Sequence, residues 1–340
     1  MTPFAIALVA GVLALVLSIL LPYLVRPMLV RLGIMDIPNE RSSHERPVLR
    51  GLGLAVLIAM GAAGGFAVVA QHTGAGDTRL LLTVVVGSFA AGLLGFAEDL
   101  WGLSVGVRSV LLLVIALTSA VAILVLAGPG LPLWGALLLA IYAVLFISSY
   151  INVANFMDGL NGISGFHGVI AGLTFAAAGW FLGLPWLLAA GLVLAAGFGG
   201  FLPWNLTKPG AFLGDVGSYL LGGATAITSF AALVAGVPLL ATIGPMVIYF
   251  GDVAVTLVKR VRAGRRWDEP HKEHTYQRIQ QLGYSHVQAS AMTAGATLAT
   301  SLLGLGSVFT STAGAIALFG AGLAVLVLYL LLPRLLPRRG

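Results

Sequence analysis

Acidic and amide side chains that could do chemistry gather in a few polar stretches of an otherwise apolar chain. The densest is residues 152–165, NVANFMDGLNGISG, where Asn155, Asp158 and Asn161 recur at intervals of three. At that spacing the three side chains share a face if the stretch is helical, and the glycines would let them converge if it is a loop. Placing amide and carboxylate groups near hydrocarbon costs free energy, so their concentration here favours a role in binding a ligand. A Gly- and Asn-rich turn that caps two helices is the structural alternative.

Two adjacent carboxylates mark a second polar stretch, GFAEDLWGLSVGVRS. Glu98 and Asp99 end one apolar run, and Arg108 begins the next. Like charge raises the pKa of one carboxylate, and a bound cation or a phosphate-linked proton would relieve the repulsion. An acidic end also opposes the helix dipole, so a purely structural role is less attractive. We expect these acids to take part in catalysis and Arg108 to meet a phosphate.

A third stretch, FLPWNLTKPGAFLGDVGSYLLG, carries Asn205, Phe212 and Asp215. Asp215 stands at the predicted start of a helix, where its oxygen could ligate Mg²⁺ or cap the helix. Mg²⁺ takes only one or two carboxylates and completes its shell with phosphate and water. Phe212 could stack on a base, although a lone aromatic side chain more often serves packing.

Basic residues and histidines dominate two further loops. The first, PNERSSHERPVLRGLG, contains Ser43, His44 and Arg50, and the last contains His271, His274 and Arg278. Both could bind phosphate. The alternative for the first is an ordinary positive-inside loop with affinity for anionic lipids, and for the last, where phosphate contact is favoured, a solvated basic loop. Two His at helical spacing can bind Zn²⁺, but no third ligand lies nearby in register.

One acid, Asp252, falls inside a predicted membrane span rather than in a loop. An intramembrane acid marks a functional site by default, and pairing with a basic residue at the helix end is an equal alternative.

The composition restricts the class of protein. Of 340 residues, 59% are hydrophobic and 9% are charged, whereas a soluble domain carries about 25% charged residues. The chain is therefore expected to be an all-α polytopic membrane protein forming one domain over residues 1–340. The absence of Cys excludes disulfides, thiolate catalysis and Cys-ligated metals. The net charge of +6 indicates loop topology, not nucleic-acid binding.

Apolar runs of membrane-spanning length predict eleven helices. Their predicted ranges are 3–25, 52–70, 80–96, 110–126, 133–150, 163–182, 185–201, 216–234, 237–258, 287–307 and 313–332. With that count, nearly all Lys and Arg fall on one side and only Arg79 on the other. By the positive-inside rule the N-terminus is outside, and the C-terminus and the chemical loops are cytoplasmic.

The order PNERSSH–P–RG, GFxED, NFMDGxNG, N–GDVGS–LG and HxxH–QR resembles the polyprenyl-phosphate N-acetylhexosamine-1-phosphate transferases, glycosyltransferase family 4. The match runs from about residue 36 to 278. It implies transfer of HexNAc-1-phosphate from a UDP-sugar to undecaprenyl or another polyprenyl phosphate, with release of UMP. It also implies Mg²⁺, with Mn²⁺ as an alternative, a bacterial inner membrane, contact with membrane lipids, and allows a homodimer.

The resemblance also implies roles for individual residues. Asp99 is similar to the family's proposed base or phosphate-positioning acid, and Asp215 to its Mg²⁺ ligand. Asn155 and Asp158 resemble the nucleotide-site residues; Asp158 is also expected to be catalytic, with Asp99 and Glu98, and Asn155 to be a second metal ligand. Other implied substrate contacts are Asn161, Asn205, Phe212, Ser43, His44, Arg50, Arg108, His271, His274 and Arg278.

Three departures from the family pattern indicate the branch. Glu98 stands where many members have Asp, Asn161 where many have a second Asp, and Gln277 where some have His. These features resemble the branch that starts O-antigen or similar glycans. The alternatives are the phospho-MurNAc-pentapeptide transferase of peptidoglycan synthesis and, in another class, a transporter or flippase using buried acids such as Asp252.

Overall fold

The computed structural model describes residues 1–36, 48–71, 75–128, 130–207, 210–266 and 272–339. Among these residues, eleven helical segments are long and apolar enough to cross a membrane, which confirms the predicted number. The helices are α1 (Pro3–Arg31), α2 (Gly53–Ala70), α3 (Ala75–Trp101), α4 (Val105–Ala127), α5 (Leu133–Met157), α6 (Ile163–Phe181), α7 (Pro185–Leu206), α8 (Gly214–Val234), α9 (Leu239–Ile243), α10 (Val247–Arg262), α11 (Thr275–Gln281), α12 (His286–Gly306) and α13 (Thr312–Leu335).

Several helices continue past the apolar runs that predicted them. The α3 helix ends at Trp101, α5 at Met157 and α7 at Leu206, whereas the apolar runs end at residues 96, 150 and 201. Hydropathy reports only the part of a helix that faces hydrocarbon, but backbone hydrogen bonding continues through polar side chains. Several predicted loop residues therefore lie in helical turns, namely Glu98, Asp99, Asn152, Asn155 and Asn205.

The ninth span is not the single continuous helix that the sequence predicted. The α9 helix passes through a 3₁₀ turn at Gly244–Met246 before α10 begins at Val247. Pro245 has no backbone N–H, so it cannot continue the α-helical hydrogen bonding at that point. The α10 helix nevertheless carries Asp252 in its second turn.

The α8 helix is the centre of the bundle. The apolar part of this helix is 94% buried, compared with 6% for the last helix, α13. It packs against α3 on one side and α5 on another. Because α8 begins at Gly214, Asp215 stands at the end of the most enclosed helix in the described structure.

A short β-bridge attaches the segment before α2 to the start of α8. Strands β1 (Met35–Asp36) and β2 (Val48–Leu49) pair antiparallel. The Phe212 N–H donates to the Leu49 carbonyl at 2.8 Å, and the Gly53 N–H donates to the Leu213 carbonyl at 2.9 Å. These backbone bonds bring Arg50 beside Asp215.

Candidate active site

Arg50 bridges the carboxylates of Asp99 and Asp215. Its Nε lies 2.9 Å from Asp99 Oδ1, and one terminal nitrogen lies 2.7 Å from Asp215 Oδ2. The three residues come from the end of β2, the last turns of α3 and the first turn of α8. A guanidinium suits this position because its planar fork matches two acceptors at once. We call Arg50, Asp99 and Asp215 the charged cluster.

Asp99 also caps the N-terminus of α8. Its carboxylate accepts hydrogen bonds from the N–H groups of Asp215, at 3.1 Å, and Val216, at 2.9 Å. The side chain has no exposed surface. A carboxylate is stabilised at a helix N-terminus by the unpaired N–H groups and the helix dipole. Asp99 therefore fixes where α8 begins and where the Asp215 side chain points.

Two glycines allow this close approach of α3 to α8. A Cβ at Gly95, one turn before Asp99, would overlap the Asp215 backbone carbonyl. Gly214 has φ +76°, and a Cβ there would lie 2.7 Å from Asp99 Oδ2. Only glycine adopts this backbone conformation without strain and leaves room for the carboxylate.

Asn155 joins the charged cluster from α5. Its Nδ2 donates to Asp215 Oδ1 at 2.8 Å and to the Ser218 hydroxyl at 3.0 Å. Ser218 lies on α8, so both bonds tie the end of α5 to the start of α8. The sequence predicted that Asn155 and Asp215 act together, and the structure brings the two side chains into direct contact.

Asp158 lies just beyond the end of α5, close to the same cluster. Its Oδ1 accepts a hydrogen bond from the Ser164 hydroxyl at 2.6 Å. Burial raises the pKa of Asp158 to about 7; the Ser164 bond and Arg50 lower it, while the negative charges of Asp215 and Asp99 raise it further. The acid that the sequence placed on the nucleotide side can thus hold a proton near neutral pH.

The raised pKa of Asp158 predicts a pH-dependent cost to folding. The folded state holds the proton from pH 3.8 up to about 7, so the free energy of unfolding falls across that window and the full cost is present above it. Asp158→Asn removes the charge but keeps an acceptor for Ser164. In detergent, we expect its melting temperature to exceed that of wild type at pH 8, with the difference vanishing near pH 4.

Ser164→Ala is the matched comparison for this titration. It removes the hydrogen bond that lowers the pKa of Asp158, so the fall in the free energy of unfolding should continue to a higher pH than in wild type. Equal melting temperatures of wild type and Asp158→Asn across pH 4–8 would contradict the pKa argument.

Asn161 and Asn205 bond mainly to the protein itself. The Asn161 Nδ2 donates to the Asn205 backbone carbonyl, and the Asn205 Oδ1 accepts from the Gly162 N–H. From α12, His286 Nδ1 lies 3.0 Å from Asn161 Oδ1 and the Ser290 hydroxyl donates to the Asn161 carbonyl at 2.9 Å. These contacts brace the turn after Asp158, and the substrate contacts predicted for both Asn residues stay predictions.

Glu98 and Asp99 turn to different partners. Glu98 Oε1 pairs with Arg108 at 3.2 Å, and its other oxygen accepts the Leu103 N–H at 2.9 Å. Neighbouring residues on a helix are separated by about 100° around its axis, so adjacent acids do not form one carboxylate pair. The predicted pair is thus divided: Asp99 belongs to the charged cluster, and Glu98 with Arg108 closes the turn between α3 and α4.

Two residues of the last polar loop, His274 and Arg278, also have different surroundings. His274 is 3% exposed and its Nδ1 lies 3.4 Å from Asp252 Oδ1. Arg278 lines, with Lys259 and Lys272, a separate polar pocket of about 180 Å³ between α10 and α11. The predicted phosphate contacts of these two residues stay predictions, as does base stacking by Phe212. The predicted residues Ser43, His44 and His271 lie outside the described residues.

The charged cluster has the composition of a divalent-cation site. Its acceptors are carboxylate oxygens, the hard ligands that Mg²⁺ prefers. Asn155 faces Asp215 with its amide nitrogen, so its oxygen would join them only with the side-chain amide turned over. Arg50 already pairs with both carboxylates, so a divalent ion at Asp215 would have to share or replace that contact. Within the described residues no three His, Asp or Glu side chains form a metal-binding group. Few protein ligands are typical of Mg²⁺, which keeps several waters.

Three residues that lie around the site were not among the predicted site residues. Ser218 and Ser164 bond directly to Asn155 and Asp158, and Tyr276 bonds to the Phe156 carbonyl. Ser218 carried a signal, since it lies one helical turn after Asp215. No local pattern could have indicated Tyr276, because its partner is 120 residues away in the chain.

Comparison with known proteins gives a consistent family. Residues 81–233 match the sequence model of glycosyl transferase family 4. A Bacillus subtilis (strain 168) protein named probable undecaprenyl-phosphate N-acetylglucosaminyl 1-phosphate transferase is 26% identical over 289 residues, covering 82% of this chain and 78% of the relative. A decaprenyl-phosphate N-acetylglucosaminephosphotransferase of Mycolicibacterium smegmatis is 26% identical over 300 residues, covering 78% and 73%.

The matched segment contains most of the site just described. It spans Asp99, Asn155, Asp158 and Asp215, and Arg50 lies before it. The family of these relatives is also the one that the order of motifs indicated. The resemblance of this membrane protein to glycosyl transferase family 4 is therefore confirmed.

Proposed function

We propose that this chain transfers N-acetylhexosamine-1-phosphate from a UDP-sugar to a polyprenyl phosphate such as undecaprenyl phosphate. The products are polyprenyl-diphospho-HexNAc and UMP. The observation that carries the proposal is the charged cluster at the start of the central helix, with Asn155 and Asp158 beside it. The names of the relatives support N-acetylglucosamine as the sugar class and favour it over the phospho-MurNAc-pentapeptide.

The proposed step is one displacement at phosphorus. A phosphate oxygen of the lipid attacks the sugar-bearing β-phosphorus, a new P–O bond forms, and the bond to the α-phosphate breaks to release UMP. Both reactants are anions, so the site must offset their repulsion, and catalysis is mainly positioning and electrostatics. Arg50 is placed to contact phosphate oxygens, Asp99 fixes Arg50 and the start of α8, and Asn155 orients Asp215. A two-step route through an enzyme carboxylate is the competing mechanism.

The proposal includes Mg²⁺, or Mn²⁺, held by Asp215 with Asn155. A divalent ion there would neutralise charge on the phosphates as a Lewis acid. The hard oxygen donors and the small number of carboxylates support this assignment.

The proposed setting is the bacterial inner membrane, with the charged cluster on the cytoplasmic side and the N-terminus outside. The distribution of Lys and Arg supports this orientation. An apolar bundle also suits a substrate whose prenyl chain stays in the bilayer while its phosphate reaches the interface. We propose that the product starts an O-antigen or another cell-envelope glycan.

The nucleotide product tests the proposal. Purified protein in detergent is incubated with UDP-GlcNAc, undecaprenyl phosphate and Mg²⁺, and the nucleotides are separated by chromatography. We expect UMP, formed only when both lipid and Mg²⁺ are present; omission of the lipid and addition of EDTA are the controls. Release of UDP would indicate transfer of the sugar without its phosphate and would contradict the proposal. A panel of UDP-sugars in the same assay then identifies the donor.

A further inference from the structure

Asp252 is the buried acid that the proposed reaction does not use. It has no exposed surface, and it lies on α10 in the interior of the bundle. A buried carboxylate needs hydrogen-bond donors or a cation to offset the loss of hydration. Its partners therefore indicate what it does.

The partners of Asp252 come from two other parts of the chain as well as from its own helix. The Thr275 N–H lies 3.0 Å from both carboxylate oxygens, and the Tyr329 hydroxyl donates to Oδ2 at 2.9 Å. Thr256, one turn along α10, donates at 3.2 Å, and His274 Nδ1 lies 3.4 Å away. Asp252 is thus enclosed by protein groups and out of reach of a substrate.

The contact with Thr275 fixes the start of α11. Thr275 is the first residue of this seven-residue helix, and a carboxylate on its N–H fulfils the role of an N-cap. His274 precedes it with extended backbone, and its N–H donates to the Gln277 side chain at 3.2 Å. A helix this short is marginal by itself, so its position depends on such anchors.

The second residue of α11 reaches the turn beside the charged cluster. The Tyr276 hydroxyl donates to the Phe156 carbonyl at 3.0 Å. Gly159 packs directly on this hydroxyl, and a Cβ there would overlap it. Phe156 and Gly159 flank Asp158, and Asn155 immediately precedes them. Tyr276 is therefore in direct contact with the backbone that carries both side chains.

We propose that Asp252 is a positioning residue for the donor substrate. It anchors the N-terminus of α11, and α11 holds the 156–159 backbone through Tyr276, so that Asn155 and Asp158 are set for the UDP-sugar. The kinetic part of this inference rests on the proposed function, whereas the structural link between Asp252 and the 156–159 turn does not. The sequence also allowed Asp252 to pair with a basic residue at the end of its helix. In the described residues Asp252 instead caps α11 through the Thr275 N–H.

The first test is hydrogen–deuterium exchange, which needs no activity. Asp252→Asn keeps the side-chain size but gives up one of the two acceptor oxygens that face Thr275. We expect faster exchange in peptides covering 275–281 and 156–162 than in wild type. Tyr329→Phe is the matched control, because it removes one donor to Asp252 and leaves the contact with Thr275 intact. Unchanged exchange at 156–162 in Asp252→Asn would overturn the proposal.

The second test uses kinetics and a second variant. We expect Asp252→Asn to raise KM for UDP-GlcNAc by about tenfold, the scale of one lost hydrogen bond to a charged group, with KM for undecaprenyl phosphate unchanged. Tyr276→Phe keeps the packing and should give the same selective change, so it replaces Asp252→Asn if that variant fails to fold. The double variant should lose no more than the worse single variant, because both act through one path.

Independent, additive losses, or equal changes in both KM values, would show that Asp252 only stabilises the bundle. If wild type shows no transfer at all, the proposed function fails, and the exchange experiment still decides whether Asp252 controls the 156–159 turn.

Discussion

Asp215→Asn is expected to reduce UMP release by at least about a hundredfold, the scale of losing one preorganised electrostatic group. Asn keeps the size of the side chain and an acceptor for Asn155. It loses the negative charge that pairs with Arg50 at 2.7 Å and that would attract a divalent cation. The measurement is the initial rate of UMP release by purified protein at saturating UDP-GlcNAc and undecaprenyl phosphate.

Two further measurements distinguish loss of folding from loss of cation binding as the cause of reduced activity. The Asp215→Asn protein should elute as wild type in size-exclusion chromatography, and its affinity for Mn²⁺, followed by electron paramagnetic resonance, should fall. Asp77→Asn is the matched control, because Asp77 lies in the first turn of α3, at the opposite end of that helix from Asp99, and should behave as wild type. Activity of Asp215→Asn within roughly tenfold of wild type would remove Asp215 from the reaction centre.

The Asp99→Asn variant is expected to lose lipid-dependent transfer while still binding the UDP-sugar. Asp99 pairs with Arg50 and caps α8, so the substitution leaves Arg50 without one of its two carboxylates and weakens the cap. Arg50 keeps its second carboxylate, Asp215, and its side chain is 38% exposed, so the substitution leaves no uncompensated buried charge and the protein should still fold. Transfer is measured as above, and UDP-GlcNAc binding by isothermal titration calorimetry.

Glu98→Gln tests whether the two adjacent acids differ. Glu98 pairs with Arg108 outside the charged cluster, so the loss of transfer should be much smaller than for Asp99→Asn. Equal losses for the two variants would mean that the pair acts as a unit, as adjacency alone suggested. Transfer by Asp99→Asn at the wild-type rate would remove its proposed role.

The sequence predicted the scaffold of the site well for a physical reason. Hydrophobic runs must match the bilayer, and each helix satisfies its own backbone hydrogen bonds, so spans can be counted one by one. It also predicted that Asn155 and Asp215 work together, a contact between residues 60 apart in the chain. That inference came from the order of motifs, and hydropathy alone could not have given it.

The partners of individual polar side chains could not be predicted from the sequence. Adjacency suggested that Glu98 and Asp99 form a pair, but the turn of the α-helix directs them to different neighbours. Asp252 was recognised as unusual, yet its partners Thr275 and Tyr329 lie 23 and 77 residues further along the chain. Long-range hydrogen bonds depend on how helices pack, and helix packing leaves little trace in a single sequence.

The position of a phosphorus label distinguishes transfer of the sugar phosphate from transfer of the sugar alone. Wild-type protein is supplied with undecaprenyl phosphate, Mg²⁺ and UDP-GlcNAc labelled with ³²P at either the α- or the β-phosphate. We expect β-label to enter the lipid fraction and α-label to stay in aqueous UMP, and we expect Asp215→Asn to transfer almost no β-label to the lipid. Both labels remaining in the aqueous nucleotide while the lipid gains only the sugar would contradict the proposed transfer.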